Sequence, residues 1–501
     1  MAKKPKARTK VTINSNKQRN RLLLVPLIAL IIKVGIIARI QGFDWYAAGN
    51  GNLGTGLTTL LDKLYQPPGA WYGADGENYL RALVGLANDG FLSTQTNLSY
   101  WPAGYPLLMW PLLVIFKSNF FGALAIAQSL FYAAGCALVV EEIRHTRLVR
   151  FTWPIALFLT FNPTLALNTI AIGYELPTVA LSLLAFAFML RHFRLGKSTF
   201  ISKESILAAV SFNLASFLQP RLIAFAAVFF VTWALANFGR KSALIFLAIS
   251  MSIVAIAPTL EILRNQKAMG FAAISTNLGT TMNIGAGAQT DGSYSNQATG
   301  AGCKEVIGNA STQDSAKVKC VLKWYLNNPG KTLKLILNKS VFFWSPWVGP
   351  AAVGTMARNP WAIEHPVIAK VRNESGIFLV WRSSGQPINW NLVKWSSWLW
   401  MLATLGFMLF GFASLWKLGN IEKLMGVSAL AIVIVNWLST IATIGDHRFR
   451  IPSMGMSLIL QVVGFSALFM RGRKRFLGSS APVVWPSLRW NRRQSPDNLP
   501  S

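Results

Sequence analysis

Long apolar stretches, each bounded by basic or polar clusters, follow one another through most of this 501-residue chain. A helix of roughly 17–25 apolar residues crosses a hydrocarbon core about 30 Å thick with every backbone group satisfied internally. The pattern predicts ten such spans, with a range of nine to twelve, at 22–40, 121–140, 152–171, 176–192, 205–218, 222–238, 242–260, 393–416, 424–444 and 452–470. Two connections are long and mixed in polarity, 41–120 and 261–392, and the others are short. The expected fold class is an all-α polytopic membrane protein with two large extracytoplasmic loops. A basic tail over 1–21 and another over 471–501 flank a transmembrane domain over 22–470.

Inside the first long segment a Gly-rich stretch, 49–56, precedes a predicted helix over 75–88 with Tyr79, Leu83, Leu86 and Ala87 on one face. The apolar run 107–116 is too short to span and is expected to lie on or dip into the outer leaflet. The second segment opens with a polar stretch, 275–312, rich in Gly, Ser, Thr and Asn and without helical period. Apolar periodicity returns at 318–326 and 331–343, where Lys331, Lys334 and Lys339 mix with Leu333, Leu335, Ile336 and Leu337 ahead of Phe342-Phe343-Trp344. That is the pattern of an amphipathic interfacial helix. Tryptophans at 344, 347, 361, 381, 390, 395, 398 and 400 fit an aromatic belt at headgroup level.

Composition agrees: 52% of residues are hydrophobic and 13% charged, too little charge for a soluble surface. The formal charge of +30 raises nucleic acid as a partner, but the positions of the cations exclude it. Eight basic residues and no acid precede residue 22. Arg144, Arg147 and Arg150, then Arg191, Arg194, Lys197 and Lys203, then Arg240 and Lys241, then Lys417 and Lys423, then Arg471, Arg473, Lys474 and Arg475 follow alternate spans. All fall on one side when the first span runs outward, the positive-inside pattern, which puts both termini in the cytoplasm of a cell whose plasma membrane the chain crosses. Basic juxtamembrane runs also contact anionic lipid. The first span lacks a small-residue cleavage site after Ile40-Gln41-Gly42 and is expected to stay as an anchor. Of three cysteines, Cys136 lies in a span, while Cys303 and Cys320 share the second long loop and are expected to bridge outside the cytoplasm.

Candidate chemistry gathers at the extracytoplasmic ends. Asp75, in Asp75-Gly76-Glu77-Asn78-Tyr79, is a carboxylate just outside the lipid, and its competing reading is the N-cap of the following helix, with Asn78 as partner. Glu77 and Asp89 read more simply as solvated acids. Glu175, in Gly173-Tyr174-Glu175-Leu176-Pro177, sits at the membrane boundary, where an ionisable group is costly. It also suits the positive end of a helix that has proline in its first turn. Arg221, in Gln219-Pro220-Arg221, stands at the mouth of two spans, where snorkelling competes with function. Pro452 predicts an extended run through Asp446-His447-Arg448-Phe449-Arg450, with Asp446, Arg448 and Arg450 on one side and His447 and Phe449 on the other. Two guanidiniums on the side exempt from the positive-inside bias suit a phosphate or diphosphate, the alternative being a lipid headgroup. No HExxH, P-loop, CxxC or serine-elbow pattern occurs.

Taken in order, these motifs resemble those of the GT-C superfamily of integral-membrane glycosyltransferases, and within it the bacterial relatives of the protein O-mannosyltransferases and the aminoarabinose transferase. The resemblance runs through Asp75-Gly-Glu-Asn-Tyr79 with Gly90 closing its helix, Pro102-Ala-Gly-Tyr-Pro106, Gly173-Tyr-Glu175, Gln-Pro-Arg221 and Asp446-His-Arg-Phe-Arg-Ile-Pro452. It implies a polyprenyl-phosphate-linked sugar as donor, entering from the outer leaflet, and an acceptor on the extracytoplasmic side. Asp75 then matches the catalytic acid of the first loop and Glu175 the second acidic position, which orients the acceptor or, in metal-dependent relatives, a divalent cation. Arg448 and Arg450, with Arg221, match the donor-phosphate contacts. Glu77, Tyr79, Tyr105, Asp446 and His447 are expected to line the substrate. The rival reading is a transporter or flippase for an anionic lipid-linked substrate, although the sequence shows no internal repeat of the kind common in such proteins. A non-catalytic partner built on the same fold is a third.

Overall fold

The computed structural model describes residues 24–29, 31, 73–117, 120–169, 172–196, 201–293, 300–344 and 390–471, and among them there is no strand. Most of the span predicted over 22–40, the Gly-rich stretch, both basic tails beyond residue 471 and before residue 24, and Trp347, Trp361 and Trp381 lie outside the described residues.

Among the described residues six helices are long and apolar enough to cross a membrane. They belong to α4 (Phe120–Ile143), α7 (Glu175–Arg194), α10 (Arg240–Met269), α14 (Trp390–Leu418), α15 (Asn420–Ala442) and, with the turn before it, α16 (Ile451–Arg471). Helix α7 is the axis of the bundle: it packs against α4, α8 (Lys203–Leu218) and α16, and most of its side chains are buried all round. A helix apolar on every face belongs in the middle. Helices α14 and α16 approach so closely that a Cβ at Gly411 would collide with the Leu460 carbonyl and one at Gly464 with that of Phe407. Small residues at such crossings are how membrane helices gain packing without a hydrophobic driving force.

The predicted count of ten departs from this architecture at two places. The stretch 152–171 is two helices, α5 (Thr152–Phe161) and α6 (Pro163–Asn168). Pro163 pushes Asn162 out of the helical region to ψ 121°, and the Asn162 Oδ1 then accepts from Leu165 N at 3.1 Å as a new cap. Helices α8 and α9 (Leu222–Asn237) fall where spans were expected, but with 16 residues each they reach about 24 Å, short of a full core.

Basic loops and candidate chemistry separate to opposite ends. At one end Arg194 Nε meets Glu142 Oε2 at 2.7 Å and Arg147 N donates to Glu422 Oε1 at 2.9 Å, tying three basic connections together. We call this the basic end, and the opposite one, where α7 begins, the site end. Helix α10, 30 residues or about 45 Å long, overshoots the core at the site end. Its last turns clasp the first long segment, which holds α1 (Gly73–Asp89), α2 (Asn97–Tyr100) and α3 (Gly104–Phe116). Glu261 Oε1 accepts from Gly104 N at 3.0 Å, and the Arg264 guanidinium donates to the carbonyls of Phe91 (3.1 Å), Leu98 (3.2 Å) and Ser93. Only glycine fits at 104, because a Cβ there would strike the Phe217 carbonyl. Helix α3, 13 residues long, is too short to span, as its sequence predicts.

The second long segment carries α11 (Leu278–Ile284), α12 (Ala310–Asn327) and α13 (Pro329–Trp344). The expectation of no helix over 275–312 fails at α11, whose Met282 gains a tertiary partner by packing with Val321 of α12. Local period is silent where a helix is that short. Cys303 and Cys320 are joined in a disulfide beside this contact. Helix α13 is fastened to the site end of α15 by Lys339, whose Nζ donates to Tyr325 Oη (2.9 Å) and to the carbonyls of Ile441 (3.0 Å) and Thr443 (2.6 Å). These carbonyls are the unpaired negative end of α15, so the cation caps the helix as well as bridging it.

Burial pushes the Lys339 ammonium down to about 7, against the pull of its three acceptors. An unfolded lysine holds its proton to about 10.4. Between those values the unfolded chain binds more protons than the folded one, so stability rises with pH. The thermal midpoint in detergent is expected to climb from about pH 7 towards about pH 10, and Lys339→Met to flatten that slope. An unchanged slope in the variant contradicts this assignment.

Candidate active site

Helix α7 opens at Glu175, with Tyr174 before it and Pro177 in the first turn, where no amide donor is needed. The positive end of the helix favours a carboxylate there. That carboxylate is also one half of an ion pair: Arg448 Nε donates to Glu175 Oε1 at 2.6 Å, across 273 residues of sequence, with both side chains 1% exposed. Glu175 is thus both the acid at the start of α7 and one half of a buried ion pair.

Arg448 comes from a 3₁₀ turn, His447–Arg450, and not from an extended strand. Asp446 caps the turn, its Oδ1 accepting from Arg448 N at 2.8 Å, and Pro452 falls in the first turn of α16, where it starts a helix instead of breaking one. Winding the turn overturns the expected two-sided alternation. Arg448 reaches inward to Glu175, whereas Arg450 Nη1 donates to the Phe343 carbonyl of α13 at 3.1 Å. Asn436 of α15 fixes the turn by donating to the Phe449 carbonyl (2.7 Å) and Ser453 Oγ (2.9 Å). Asp446 and His447 are buried, with His447 Nδ1 3.9 Å from Asp446 Oδ1. Their place is under the turn, not at a surface.

Arg221, between α8 and α9, packs its guanidinium 4.9 Å from the Phe449 ring centre and 5.9 Å from that of Tyr174. The Arg448 guanidinium lies 5.8 Å from the same Phe449 ring, so two cations flank one aromatic side chain. Nε and Nη2 of Arg221 are buried and meet no acceptor among the described residues. Arg450 lines a cleft of about 110 Å³ between α14, α16 and the α5–α6 break. Trp344 and Trp400 stand with it there, Leu405, Met454 and Leu458 make the apolar wall, and Thr404, Ser457 and Gln461 add hydroxyl and amide groups. No carboxylate pairs with Arg221 or Arg450 among the described residues.

The first long segment meets this cluster through aromatic rings. Tyr79 of α1 is buried with its ring centre 5.1 Å from Tyr105, 6.3 Å from Trp101 and 6.4 Å from Tyr174. Tyr105 is fully buried, its hydroxyl donating to Gln128 Oε1 (3.1 Å) and accepting from Gly173 N (2.9 Å), while Gln128 Nε2 donates to the Thr169 carbonyl at 3.1 Å. Both tyrosines, expected to line the substrate, are buried beside the 172–174 loop, Tyr105 through its bond to Gly173 and Tyr79 through its ring contact with Tyr174. Asp75 lies inside α1, which is helical from Gly73, and so is not the residue before the helix as its local sequence suggested. It precedes Tyr79 by one turn, which places the two positions on one face. The side chains of Asp75 and Glu77 lie outside what the structure describes.

Sequence reasoning missed Glu261, Arg264, Asn265 and Lys339, all buried at the site end. The signal for the first two was present, ionisable residues at the end of an apolar span, with the polar Asn265 beside them. Among the described residues no group of three or more His, Cys, Asp or Glu side chains comes together as a metal site, and the Glu175 carboxylate is engaged by arginine.

No protein-family model and no curated protein matches the chain. Among solved structures it is similar to the oligosaccharyltransferase of the archaeon Archaeoglobus fulgidus in several forms. The form tethered to an acceptor peptide containing the NVT sequon is 10% identical with a TM-score of 0.44, covering 89% of this chain and 50% of that one. The form with zinc and sulfate is 12% identical with a TM-score of 0.46, covering 88% and 49%. The form in complex with an inhibitory peptide and a dolichol-phosphate is 12% identical with a TM-score of 0.41, covering 92% and 52%. The chain spans about half the length of these proteins, and at these scores the likeness assigns neither activity nor substrate.

Removing one member of a buried ion pair costs about 3–5 kcal/mol, whereas replacing both by apolar groups is often neutral. Arg448→Met is therefore expected to lower the thermal midpoint sharply, and the double variant Glu175→Leu/Arg448→Met to recover most of the loss. A double variant as unstable as the sum of the singles would show that the pair is not the coupled unit described.

Proposed function

We propose that this chain transfers a hexose or pentose from a polyprenyl-phosphate donor to a hydroxyl of an extracytoplasmic glycan, lipid or protein, with inversion at the anomeric carbon. The observation that carries this reading is the pair of cations at the site end with no protein counter-charge among the described residues: Arg221, with two buried N–H groups unmatched, and Arg450, at an apolar cleft edged by tryptophan. Buried donors of this kind are costly unless an anion completes them. A phosphate on a prenyl chain supplies the anion to the arginines and the hydrocarbon to the cleft wall. At about 110 Å³ the cleft is smaller than the roughly 300–1,000 Å³ of whole-ligand pockets, so it suits the phosphate and the first carbons of the lipid.

In this reading Asp75 takes the proton of the acceptor hydroxyl, the oxygen attacks C1 of the sugar, and the C1–O bond to phosphate breaks, the phosphate leaving with the polyprenol. Arg221 and Arg450 neutralise the charge that develops on it. Arg448, committed to Glu175, is a positioning residue that fixes the turn carrying Arg450. A positioned base supplies about 10²–10⁴ in rate, and fixed cations aimed at a leaving group act strongly where water is scarce. The resemblance of the five motifs to those of GT-C glycosyltransferases supports the same assignment. No step requires a metal, and a divalent cation stays outside the scheme.

Purified wild-type and Asp75→Asn protein in nanodiscs, given a panel of radiolabelled polyprenyl-phosphate sugars and an envelope extract as acceptor, tests the proposal. The wild type is expected to consume one donor, and the variant, equally well inserted, to do so about 10²–10⁴-fold more slowly. Transfer at the wild-type rate by the variant removes Asp75 as base. Lipid bound or moved between leaflets without any donor consumed favours the flippase.

A further inference from the structure

Helix α13 has one buried face and, opposite it, an exposed apolar one. Leu335, Lys339 and Phe343, each a turn from the next, are buried against α15 and the 3₁₀ turn. Leu333, Leu337 and Val341, also spaced by four, are 59%, 60% and 51% exposed. At 100° per residue this second stripe lies on the side of the helix away from the first. Leu322 and Leu326 at the end of α12 are exposed as well. An apolar face left open in this way marks a partner, protein or lipid.

Position and charge choose between them. The last turn of α13 does not stand clear of the bundle: Trp437 of α15 donates to Ser340 Oγ at 3.1 Å, and its ring centre is 6.2 Å from that of Trp344. Trp437 is five residues before Ala442, the end of an apolar membrane helix, so the contact lies about 7–8 Å below that end. The exposed stripe therefore begins at the depth of the hydrocarbon boundary and runs on from the lipid-facing surface of the spans, where Leu438 is also exposed. Over residues 310–344 six lysines face one acid, Asp314, and Lys319, Lys323, Lys331 and Lys334 are exposed. Exposed apolar side chains flanked by lysine suit an interface of acyl chains and anionic headgroups.

We infer that the Leu333–Leu337–Val341 stripe, with Lys334 beside it and the exposed Lys331 in the first turn, seats α13 in the surface of an anionic leaflet at the site end. The seat holds Phe343, and with it Arg450, at membrane level. It does not depend on what the chain transfers.

Cys303 and Cys320 are bonded and Cys136 is buried, so an environment-sensitive thiol fluorophore on the full-length Leu337→Cys protein reports that position alone. In nanodiscs of phosphatidylcholine mixed with phosphatidylglycerol, the label is expected to be quenched by doxyl lipid and shielded from aqueous iodide. The same label at Gln313→Cys, in the exposed first turn of α12, should show the reverse. Doxyl quenching should weaken in phosphatidylcholine alone, and Lys331→Glu with Lys334→Glu should abolish the difference between the two lipids. A Leu337 label open to iodide and untouched by doxyl lipid overturns the inference. Shielding from both quenchers, the sign of a protein covering the stripe, overturns it too, and equal quenching in both lipids overturns the anionic requirement. Leu333→Cys gives the same reading should Leu337→Cys fail to insert.

Discussion

The site end of this molecule depends on one buried ion pair, Glu175 with Arg448. Two charges removed from water at this depth persist only with close geometry and further polar support. The chain supplies both: a 2.6 Å contact, the positive end of α7 behind the carboxylate, and Asp446 capping the backbone turn that carries the arginine. Because the partners are 273 residues apart, the pair closes the bundle between its central helix and its last one. It also sets which arginines of this end are left without a carboxylate among the described residues. With Arg448 engaged inward, the turn presents Arg450 to the cleft, and Phe449 becomes the ring on which Arg221 rests.

The two long segments are held to the bundle by the same device. Arg264 and Lys339 are cations buried among backbone carbonyls, not opposite carboxylates. A guanidinium offers five donors and an ammonium three, enough to satisfy several carbonyls that a loop or a helix end leaves open. Part of the chain's large positive charge is therefore structural and lies far from the basic end. This arrangement places the first segment, with Asp75 on α1, against the same end of the bundle as the arginines.

Much of this was legible in the chain. Span-length apolar runs and the alternation of basic clusters give the class, and the motifs around residues 75, 105, 175, 221 and 448 lie at or beside the site end. Three features were not legible, each for a physical reason. The break at Asn162-Pro163 is hidden because an apolar run shows the same hydropathy whether one helix or two pass through it. The 3₁₀ turn at 447–450 is set by the Asp446 cap and Asn436, a tertiary partner, which outweigh the local preference that Pro452 suggests. Lys339 reads as one of several interfacial lysines until α15 is seen to end beneath it.

The most direct test is a structure of the full-length protein in nanodiscs with a polyprenyl phosphate added. The account predicts phosphate density against Arg221 and Arg450 with the first isoprene units along Leu405, Met454 and Leu458, and Arg448 still bound to Glu175. A phosphate bound at the basic end, or one that draws Arg448 away from Glu175, would contradict it.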